Sequence, residues 1–600
     1  MLFGKHINRY YLKHAFILLF GVAVLIAIDY VQLIVPNLYQ MVINGINDGF
    51  VTDSSGVTHE FNMDFLLDNI CLPLIFIILC MVVGRFLWRI CFFGTAIKVE
   101  TDLRGRMFDH CKDLSQQFYQ ENKVGNLMSL FTNDLETVQD CFGSGILTFC
   151  DALFLGILAM SKMAGMNIIL TIFSMIPMAL MLTAGLVVGK YMTLKWAARQ
   201  EAFSSLSDYS QESFAGIAVI KAFVKEGLEL MSFKKLNKLN EDTNVAYTKL
   251  SVALNITVTL LIQSVICVIL GYGGYLVYNG TFNAGQLVEF IGYFNAIIWP
   301  VMAISQLIEM RSRGKASLDR ISELLDTKPD VVDTEISTDN KPINGDIEFR
   351  NLTFRYPNGE YDVLSDVSLK INAGENVGII GKTGSGKTTL VDLILRTYNV
   401  PDGTVFLDGR DINTIPIKTV RDFCAYVPQD NFLFSDTIEN NIAFASDGGD
   451  ENDIINAAKL SDVHENIEGF QQGYKTILGE RGVTVSGGQK QRISIARALM
   501  KNASILILDD SVSAVDVKTE KSILANLGEV RKGKTTILIA HRITTIENMD
   551  KIIFIDDGKI LAVGTHRELY DNCTEYRTMV ELQRLDDMHS DHDKEVSENV

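Results

Sequence analysis

Long apolar runs fill the first half of this 600-residue chain. Six of them carry few charges and are long enough, at about 20 residues or more, to cross about 30 Å of hydrocarbon as helices. They cover residues 15–43, 65–93, 141–160, 166–188, 250–277 and 287–308. From about residue 346 the pattern changes to alternating apolar and charged segments, which is typical of a soluble α/β domain. The pattern therefore predicts a six-span α-helical membrane domain followed by a soluble domain.

The basic residues between the spans predict the orientation of the chain. Residues 44–64 contain no Lys or Arg, whereas the connections 95–140 and 190–249 contain many. Basic connections favour the cytoplasmic side, so we expect a multi-pass protein of the cell membrane with both termini and the soluble domain in the cytoplasm. The inner connections have helical patterns interrupted near residues 117–130 and 213–223. The outer connection 49–62 contains no interpretable motif.

Two acids lie within predicted spans, Asp29 in the first and Asp151 in the third. An unpaired carboxylate at this depth is costly, so each should face a partner or a cavity. One interpretation is a contact for a cationic substrate; the other is a protonated or hydrogen-bonded acid that joins helices. Glu289 lies near the end of the last span and is close enough to reach interfacial water.

Charge and cysteine content exclude several classes. The formal charge of −18 and the lack of a concentrated basic face argue against a nucleic-acid partner. The nine cysteines show no metal-binding spacing and lie mostly in apolar runs, where packing explains them. A polar segment with two Lys-Pro pairs indicates a linker. The predicted organisation is a membrane domain at 1–325, a linker at 326–345, a soluble domain at 346–585 and a disordered acidic tail at 586–600.

A glycine-rich loop stands in the soluble domain between a predicted strand at 376–380 and a predicted helix at 389–397. This context is the one that a P-loop requires, because its backbone N–H groups and its lysine bind phosphates while the hydroxyl after the lysine binds Mg²⁺. The predicted nucleotide-binding residues of the loop are Gly381, Lys382, Thr383, Gly384, Ser385, Gly386, Lys387, Thr388 and Thr389. Thr388 is also a predicted Mg²⁺ ligand.

Two further motifs follow the loop. The apolar strand predicted at 504–508 ends in Asp509 and Asp510, so Asp509 stands where the metal-binding acid of a P-loop ATPase is expected. Before it, Val485-Ser-Gly-Gly-Gln489 precedes a helical pattern and is suited to a second phosphate-binding surface. In this order and spacing, the three motifs resemble the nucleotide-binding domain of an ABC transporter. With six spans ahead of them, nearly the whole chain resembles an ABC exporter half-transporter.

The resemblance implies an ABC-type ATPase coupled to transport, with ATP and Mg²⁺ bound by an α/β P-loop cassette and a small-molecule cargo carried across the bilayer. It also implies that residues 476–482 transmit motion to the cytoplasmic loops. The resemblance assigns adenine stacking to Tyr356, at the end of a predicted strand at 347–356, and a place in the dimer-interface loop to Asp516. It assigns catalysis to Gln429, Asp510 and His541, and Mg²⁺ contact to Gln429, Asp509 and Thr388. It assigns phosphate contact to Ser486, Gly487, Gly488 and Gln489.

One residue departs from the family pattern. The catalytic base is usually Glu, but this chain has Asp510, whose carboxylate is one methylene short. Such a displacement predicts slow hydrolysis at the chain's own site. The signature motif at 485–489 keeps its Ser and both Gly, so we expect a heterodimer in which it completes the ATP site of a second, Glu-bearing half-transporter that exports amphipathic or hydrophobic molecules such as drugs or lipids. The alternatives are a homodimeric exporter, an importer of metal chelates on the same fold, or a regulatory half that senses ATP.

Overall fold

The computed structural model describes residues 4–52, 58–333, 341–446, 448–479, 482 and 484–585. Two compact units divide the chain. The first contains residues 1–112 and 122–327, and the second contains residues 113–121 and 328–600. The predicted tail at 586–600 and part of the predicted linker, residues 334–340, lie outside the described residues.

The first unit is built from long helices, and among the residues that the structure describes six helices are long and apolar enough to cross a membrane. This confirms the predicted six-span domain. These membrane candidates are Ala15–Asp48, Met63–Asp113, Val124–Met166, Ile168–Ala215, Glu226–Tyr278 and Ala284–Asp326. The α-helices up to residue 326 are α1 (Asn8–Lys13), α2 (Ala15–Gln32), α3 (Val35–Asp48), α4 (Met63–Leu66), α5 (Leu72–Asp113), α6 (Gln116–Glu121), α7 (Val124–Ser129), α8 (Leu135–Met166), α9 (Ile168–Ala215), α10 (Ile217–Ala222), α11 (Glu226–Tyr278) and α12 (Ala284–Asp326).

The helices differ from the predicted spans in length and continuity. Helix α11 has 53 residues and is therefore about 80 Å long, more than twice the hydrocarbon thickness. The first span is interrupted between α2 and α3, because Pro36 at the start of α3 has no N–H to donate and its ring would clash with the carbonyl of Gln32. A single residue, Asn167, separates α8 from α9, and its side chain accepts a hydrogen bond from the Leu170 backbone N–H at 2.9 Å.

Residues between the first two spans form a short antiparallel hairpin that no sequence motif predicted. Strand β1 (Phe50–Thr52) pairs with strand β2 (Thr58–Glu60), with Val51 opposite His59. Val51 is buried against Phe65 and Ile70, so a small apolar cluster anchors the hairpin.

The second unit is an α/β domain whose described residues form two sheets. Its strands are β3 (Ile347–Phe354), β4 (Leu364–Ile371), β5 (Asn376–Gly381), β6 (Val405–Leu407), β7 (Arg410–Asp411), β8 (Cys424–Val427), β9 (Ile505–Asp509), β10 (Thr535–Ile539), β11 (Lys551–Asp556) and β12 (Lys559–Gly564). Its helices are α13 (Lys387–Ile394), α14 (Ile417–Asp422), α15 (Ile438–Ala443), α16 (Glu451–Leu460), α17 (His464–Glu468), α18 (Gly487–Met500), α19 (Val517–Val530), α20 (Ile543–Ile546) and α21 (His566–Asn572).

The larger sheet has the order β12-β11-β5-β10-β9-β8, and the smaller one has the order β4-β3-β6-β7. In the larger sheet, β11, β5, β10, β9 and β8 are parallel and β12 is an antiparallel edge. Every residue of β9 and β10 is buried, as expected for continuous apolar strands covered on both faces. The carboxyl ends of these strands therefore meet at one edge of the sheet, where open α/β sheets bind ligands.

Strand β3 ends two residues earlier than predicted. The carbonyl of Tyr356 accepts a hydrogen bond from the Gly359 N–H at 2.8 Å, which closes a turn around Pro357. Proline has no N–H for a sheet ladder, so the chain leaves the sheet before Tyr356.

Candidate functional site

The predicted P-loop joins β5 to α13. Gly384 and Gly386 have φ values of 82° and 95°, a left-handed region that favours glycine. The buried Lys387 ammonium donates to the carbonyl oxygens of Gly381 at 2.9 Å and Lys382 at 2.8 Å. The loop is therefore curled around its own lysine, in a conformation that two glycines make accessible.

Two polar atoms beside the loop are buried without a hydrogen-bond partner among the residues that the structure describes. They are Ser385 Oγ and Asp509 Oδ2. The hydroxyl of Thr388 hydrogen-bonds the Asp509 carboxylate, and burial raises the pKa of Asp509. Burial also lowers the pKa of Lys387, although the charges of Asp509 and Asp510 oppose this shift. Unpartnered oxygen atoms beside a buried lysine fit a phosphate group and a divalent cation, because these ligands supply the missing partners.

Asp510 follows Asp509 at the carboxyl end of β9 and has a positive φ of 45°. Its backbone N–H donates to the Ile539 carbonyl at 3.0 Å. Its own carbonyl accepts bonds from Ser513 Oγ at 2.9 Å and Gln491 Nε2 at 3.4 Å. The backbone of Asp510 is thus held from three sides, which limits how far its short side chain can be carried toward a substrate.

His541 and Gln429 follow β10 and β8, so both lie at the same sheet edge as Asp509. Both residues are exposed, and His541 lies near enough to Asp509 to interact with it electrostatically. The His541 carbonyl accepts a hydrogen bond from Gln583 Nε2 at 2.7 Å. Asp516 caps α19 by accepting a bond from the Thr519 N–H at 3.1 Å. The parallel strands therefore bring the P-loop, Asp509, Asp510, His541 and Gln429 to one edge.

The signature motif begins α18. Ser486 accepts a bond from the Gln489 N–H at 3.3 Å, while Gln489 Oε1 accepts one from the Ser486 N–H at 2.9 Å. The two residues form a capping box, so the Gln489 side chain is engaged in starting the helix. A side chain at Gly488 would place its Cβ 2.9 Å from the Ala514 carbonyl oxygen, so only glycine fits there. The result is an exposed helix N-terminus that attracts anions.

The remaining predicted residues are Lys382 and Thr383 of the P-loop and the transmission segment 476–482. Lys382 forms an ion pair with Asp556 at 2.8 Å, and Thr383 is exposed. Within the predicted transmission segment 476–482, Ile477 pairs with Thr437 in an isolated β-bridge. Residues 480 and 481 of that segment lie outside the described part of the chain.

Sequence reasoning missed Gln491, which joins helix α18 to the loop that follows strand β9. Its Nε2 donates to the Asp510 carbonyl at 3.4 Å, and its Oε1 accepts from the Ala514 N–H at 3.0 Å. The side chain is only 7% exposed. A buried glutamine two residues after the motif was the available signal, but its partners are 19 and 23 residues away in the chain.

We expect Gln491→Leu to lower the free energy of unfolding by about 2 kcal/mol, because two hydrogen bonds typically worth about 1 kcal/mol each are lost. When combined with Asp510→Glu, it should reduce ATP hydrolysis by about tenfold or more relative to Asp510→Glu alone, because it releases the backbone that positions residue 510. Thermal inactivation and phosphate release measure the two effects. Asn526→Leu is the matched control: it removes a bond to the Leu460 carbonyl at 3.1 Å and should affect stability alone. Equal losses of hydrolysis in both variants would refute the positioning role.

Sequence reasoning also missed Tyr398. Its ring packs edge-on against Tyr356, with centroids 5.0 Å apart, while the Tyr356 hydroxyl lies 2.8 Å from Thr389 Oγ1. The Tyr398 hydroxyl donates to Gln120 Oε1 at 2.9 Å. Gln120 belongs to residues 113–121, which group with the α/β domain. One chain of contacts therefore connects Tyr356, the predicted adenine-stacking residue, to this segment.

Residues 113–121, which we call the docking segment, make two more polar contacts with the α/β domain. Ser115 Oγ donates to Asp330 at 3.2 Å, and Asn358 Nδ2 donates to Glu121. Helix α6 forms most of the segment and has no buried residues. Leu114, which precedes α6 in the segment, is buried, so the segment combines polar contacts with one buried apolar side chain.

Comparisons with known proteins agree with this arrangement. The family model of the ABC transporter transmembrane region matches residues 18–301, and the ABC transporter model matches residues 364–513. The chain is 36% identical to a probable multidrug resistance ABC transporter ATP-binding/permease protein, YheI, of Bacillus subtilis, with 97% of each chain covered. It is 34% identical to the multidrug resistance-like ATP-binding protein MdlA of Escherichia coli over 94% of each chain.

A more distant relative is an ATP-dependent lipid A-core flippase of Syntrophus aciditrophicus, at 33% identity over 82% of this chain and 81% of that one. The fold is similar to that of a bacterial Atm1-family ABC exporter solved with ATP bound, with a TM-score of 0.73, 24% identity and coverage of 96% and 98%. The protein belongs to the ABC transporter family: it is a half-transporter in which a six-helix membrane domain is fused to an ATP-binding domain whose hydrolysis of ATP drives transport.

Proposed function

We propose that this chain exports amphipathic or hydrophobic small molecules as one half of a heterodimer. The observation that carries the heterodimer is the combination of Asp510, where the family usually has Glu, with a signature motif that retains Ser486, Gly487 and Gly488. The cargo class is supported by relatives whose names specify multidrug resistance and lipid A-core transport. The half-transporter would be weak at its own ATP site and competent at the one it completes.

Each predicted residue then has a chemical task. Lys387 and the backbone N–H groups of the P-loop would bind the phosphates, and Tyr356 would stack on the adenine. His541 would contact the terminal phosphate, while Gln429 and Asp510 would orient the attacking water. Mg²⁺, held by Thr388, Asp509 and Gln429, would neutralise phosphate charge.

Ser486, Gly487, Gly488 and Gln489 would complete the ATP site of the second subunit, with Asp516 at the interface between the two. The exposed N-terminus of α18 supports this role, because phosphate binds readily to such a terminus. The capping box leaves the Ser486 hydroxyl fixed at the first turn, where it can face a phosphate brought by another chain.

The docking segment offers a route by which ATP binding changes the membrane domain. It is attached next to Tyr356 and continues directly into α5 on one side and toward α7 on the other. Closure of two ATP-binding domains would therefore pull on the ends of two membrane helices. We further propose the domain limits 1–325 and 346–585, and cytoplasmic termini on the basis of the basic connections.

Transport by a reconstituted pair tests this function. The chain would be placed in liposomes alone or with a half-transporter that has Glu at the position of Asp510, and ATP-dependent accumulation of an amphipathic dye would be measured. We expect the pair to accumulate the dye at least about tenfold faster than this chain alone, because only the pair has a fully competent site. ADP in place of ATP is the control. Equal transport by this chain alone would favour a homodimer, and ATP binding without transport of any dye would favour a regulatory half.

A further inference from the structure

Two acids and a tryptophan from three different helices of the membrane unit lie close together. Asp29 lies on α2, Asp151 on α8 and Trp299 on α12. The Trp299 indole Nε1 donates to Asp151 Oδ2 at 2.7 Å. Asp29 lies close enough to Asp151 for the two carboxyl groups to interact electrostatically. We call these three residues the acidic cluster.

The acidic cluster lies deep in the membrane unit. Helices α8 and α12 are antiparallel, because residues later in α8 contact residues earlier in α12. The contacts are Cys141 with the Met310 carbonyl, Asp151 with Trp299, and Gly156 with Pro300. Asn167 follows the last residue of α8 and Asn283 precedes the first residue of α12, so the two asparagines mark the same end of this antiparallel pair. Asp151 is 16 residues from Asn167, and Trp299 is 16 residues from Asn283, which is about 24 Å along each helix. Both side chains therefore lie at the same depth, well away from that end of the bundle.

Asp29 is incompletely satisfied at this depth. It is 3% exposed, and its Oδ2 atom has no hydrogen-bond partner among the described residues. Arg85 exerts a favourable charge interaction on Asp29, but the guanidinium donates its hydrogen bond to Gln32 at 3.3 Å. A buried carboxyl oxygen without a donor is costly in an apolar interior, so the cluster has capacity for one more cation or donor.

Glu289 is an acid of the same unit whose role is structural, and it can be compared with Asp29. It is also buried, at 7% exposure, but its Oε1 accepts hydrogen bonds from the Tyr293 hydroxyl at 2.7 Å and from Asn37 Nδ2 at 3.3 Å. Two donors therefore account for this carboxylate. Among the described residues, the Oδ2 atom of Asp29 has no donor, and this distinguishes Asp29 from the structural contact at Glu289.

The cluster is open on the side of the tryptophan. Trp299 is 46% exposed and Asp151 is partly exposed, so the indole ring and Asp151 are the parts of the cluster that a ligand contacts first. The bond from the indole N–H to Asp151 fixes the ring beside the two carboxyl groups. An aromatic face next to a carboxylate is the combination that binds organic cations, because the ring and the carboxylate both attract positive charge.

We propose that Asp29, Asp151 and Trp299 bind the positively charged group of an amphipathic cargo, an organic cation such as an ammonium or a phosphonium. The proposal rests on the proposed export of amphipathic molecules and adds the charge of the cargo and the residues that recognise it. The carboxyl groups provide the charge selectivity, and the indole ring provides the apolar contact.

Binding of two ions of equal size and opposite charge tests the proposal. Tetraphenylphosphonium and tetraphenylborate would be equilibrated with the full-length chain and its partner in lipid nanodiscs, and binding to empty nanodiscs would be subtracted. We expect wild type to prefer the phosphonium, and Asp29→Asn and Asp151→Asn each to weaken phosphonium binding by about tenfold while borate binding does not weaken. Trp299→Leu should weaken phosphonium binding as well.

Glu289→Gln is the matched control, because it neutralises a buried acid of the same unit and should leave phosphonium binding unchanged. Thermal unfolding of each variant in the nanodiscs reports whether the membrane unit is folded, and an Asp151→Asn variant that fails this test is replaced by Asp151→Ser. Wild-type phosphonium affinity in both acid variants, or an equal loss in Glu289→Gln, would overturn the proposal. Failure of the pair to transport any amphiphile, neutral or charged, would instead refute the proposed function, since the binding measurement does not depend on transport.

Discussion

Replacing Asp510 with Glu is expected to raise ATP hydrolysis by the purified chain in lipid by about 100-fold. The backbone of residue 510 is held by Ile539, Ser513 and Gln491, so the added methylene should extend the carboxylate toward the substrate instead of being absorbed by a backbone shift. Phosphate release per chain, compared between wild type and Asp510→Glu at saturating ATP, measures the effect.

Two variants control this experiment. Asp510→Asn should stay at or below the wild-type rate, because it has the same length without a base. Lys387→Ala combined with Asp510→Glu should abolish the gain, since the lysine is the charge that binds phosphate, and this result excludes a contaminating ATPase. Rapid hydrolysis by both wild type and Asp510→Glu would show that Asp510 is an adequate base, and the homodimeric exporter would become the better interpretation.

Changing Ser486 to Asp should reduce ATP hydrolysis by the heterodimer on the order of 100-fold. We expect this effect although Ser486 is about 100 residues away in sequence from the P-loop of its own chain. Asp is as good a helix N-cap as Ser, so α18 should still form, but its carboxylate would repel the phosphate of the ATP bound by the partner. Ser486→Asn keeps the cap without the charge and should cost much less. Phosphate release by the assembled pair measures both variants.

The comparison with Asp510→Asn in the same pair shows which site hydrolyses ATP. We expect Asp510→Asn to change hydrolysis by the pair less than twofold, because this chain's own site already contributes little. If Asp510→Asn and Ser486→Asp reduce hydrolysis equally, the two sites are equivalent and the proposed asymmetry is wrong.

The sequence predicted the helices and strands whose formation is determined by residues adjacent in the chain. The strand, loop and helix around Lys387 follow from apolar residues, glycines and a helical run that are contiguous in sequence. The buried strand before Asp509 is likewise a local pattern. The break at Pro36 was also available from the sequence, but the continuous hydrophobicity of the span concealed it.

Contacts across long stretches of chain could not be predicted in the same way. Gln120 and Tyr398 are 278 residues apart, and Asp151 and Trp299 are 148 apart. The sequence indicated that Asp151 needs a partner, because its burial in a span is costly, but it did not indicate which residue supplies the donor. Tertiary packing alone determines these pairs.

The position of the docking segment in the chain determines where the ATP-binding domain can be separated from the membrane domain. Its nine residues lie more than 200 positions ahead of the ATP-binding domain to which they attach, between residues 1–112 and 122–327 of the membrane unit. An ATP-binding domain expressed from residue 328 onward would leave the Tyr398 hydroxyl and the Asn358 amide without these partners. A chimera that exchanges ATP-binding domains between transporters therefore needs matched docking segments, and the natural unit of exchange is discontinuous in the gene.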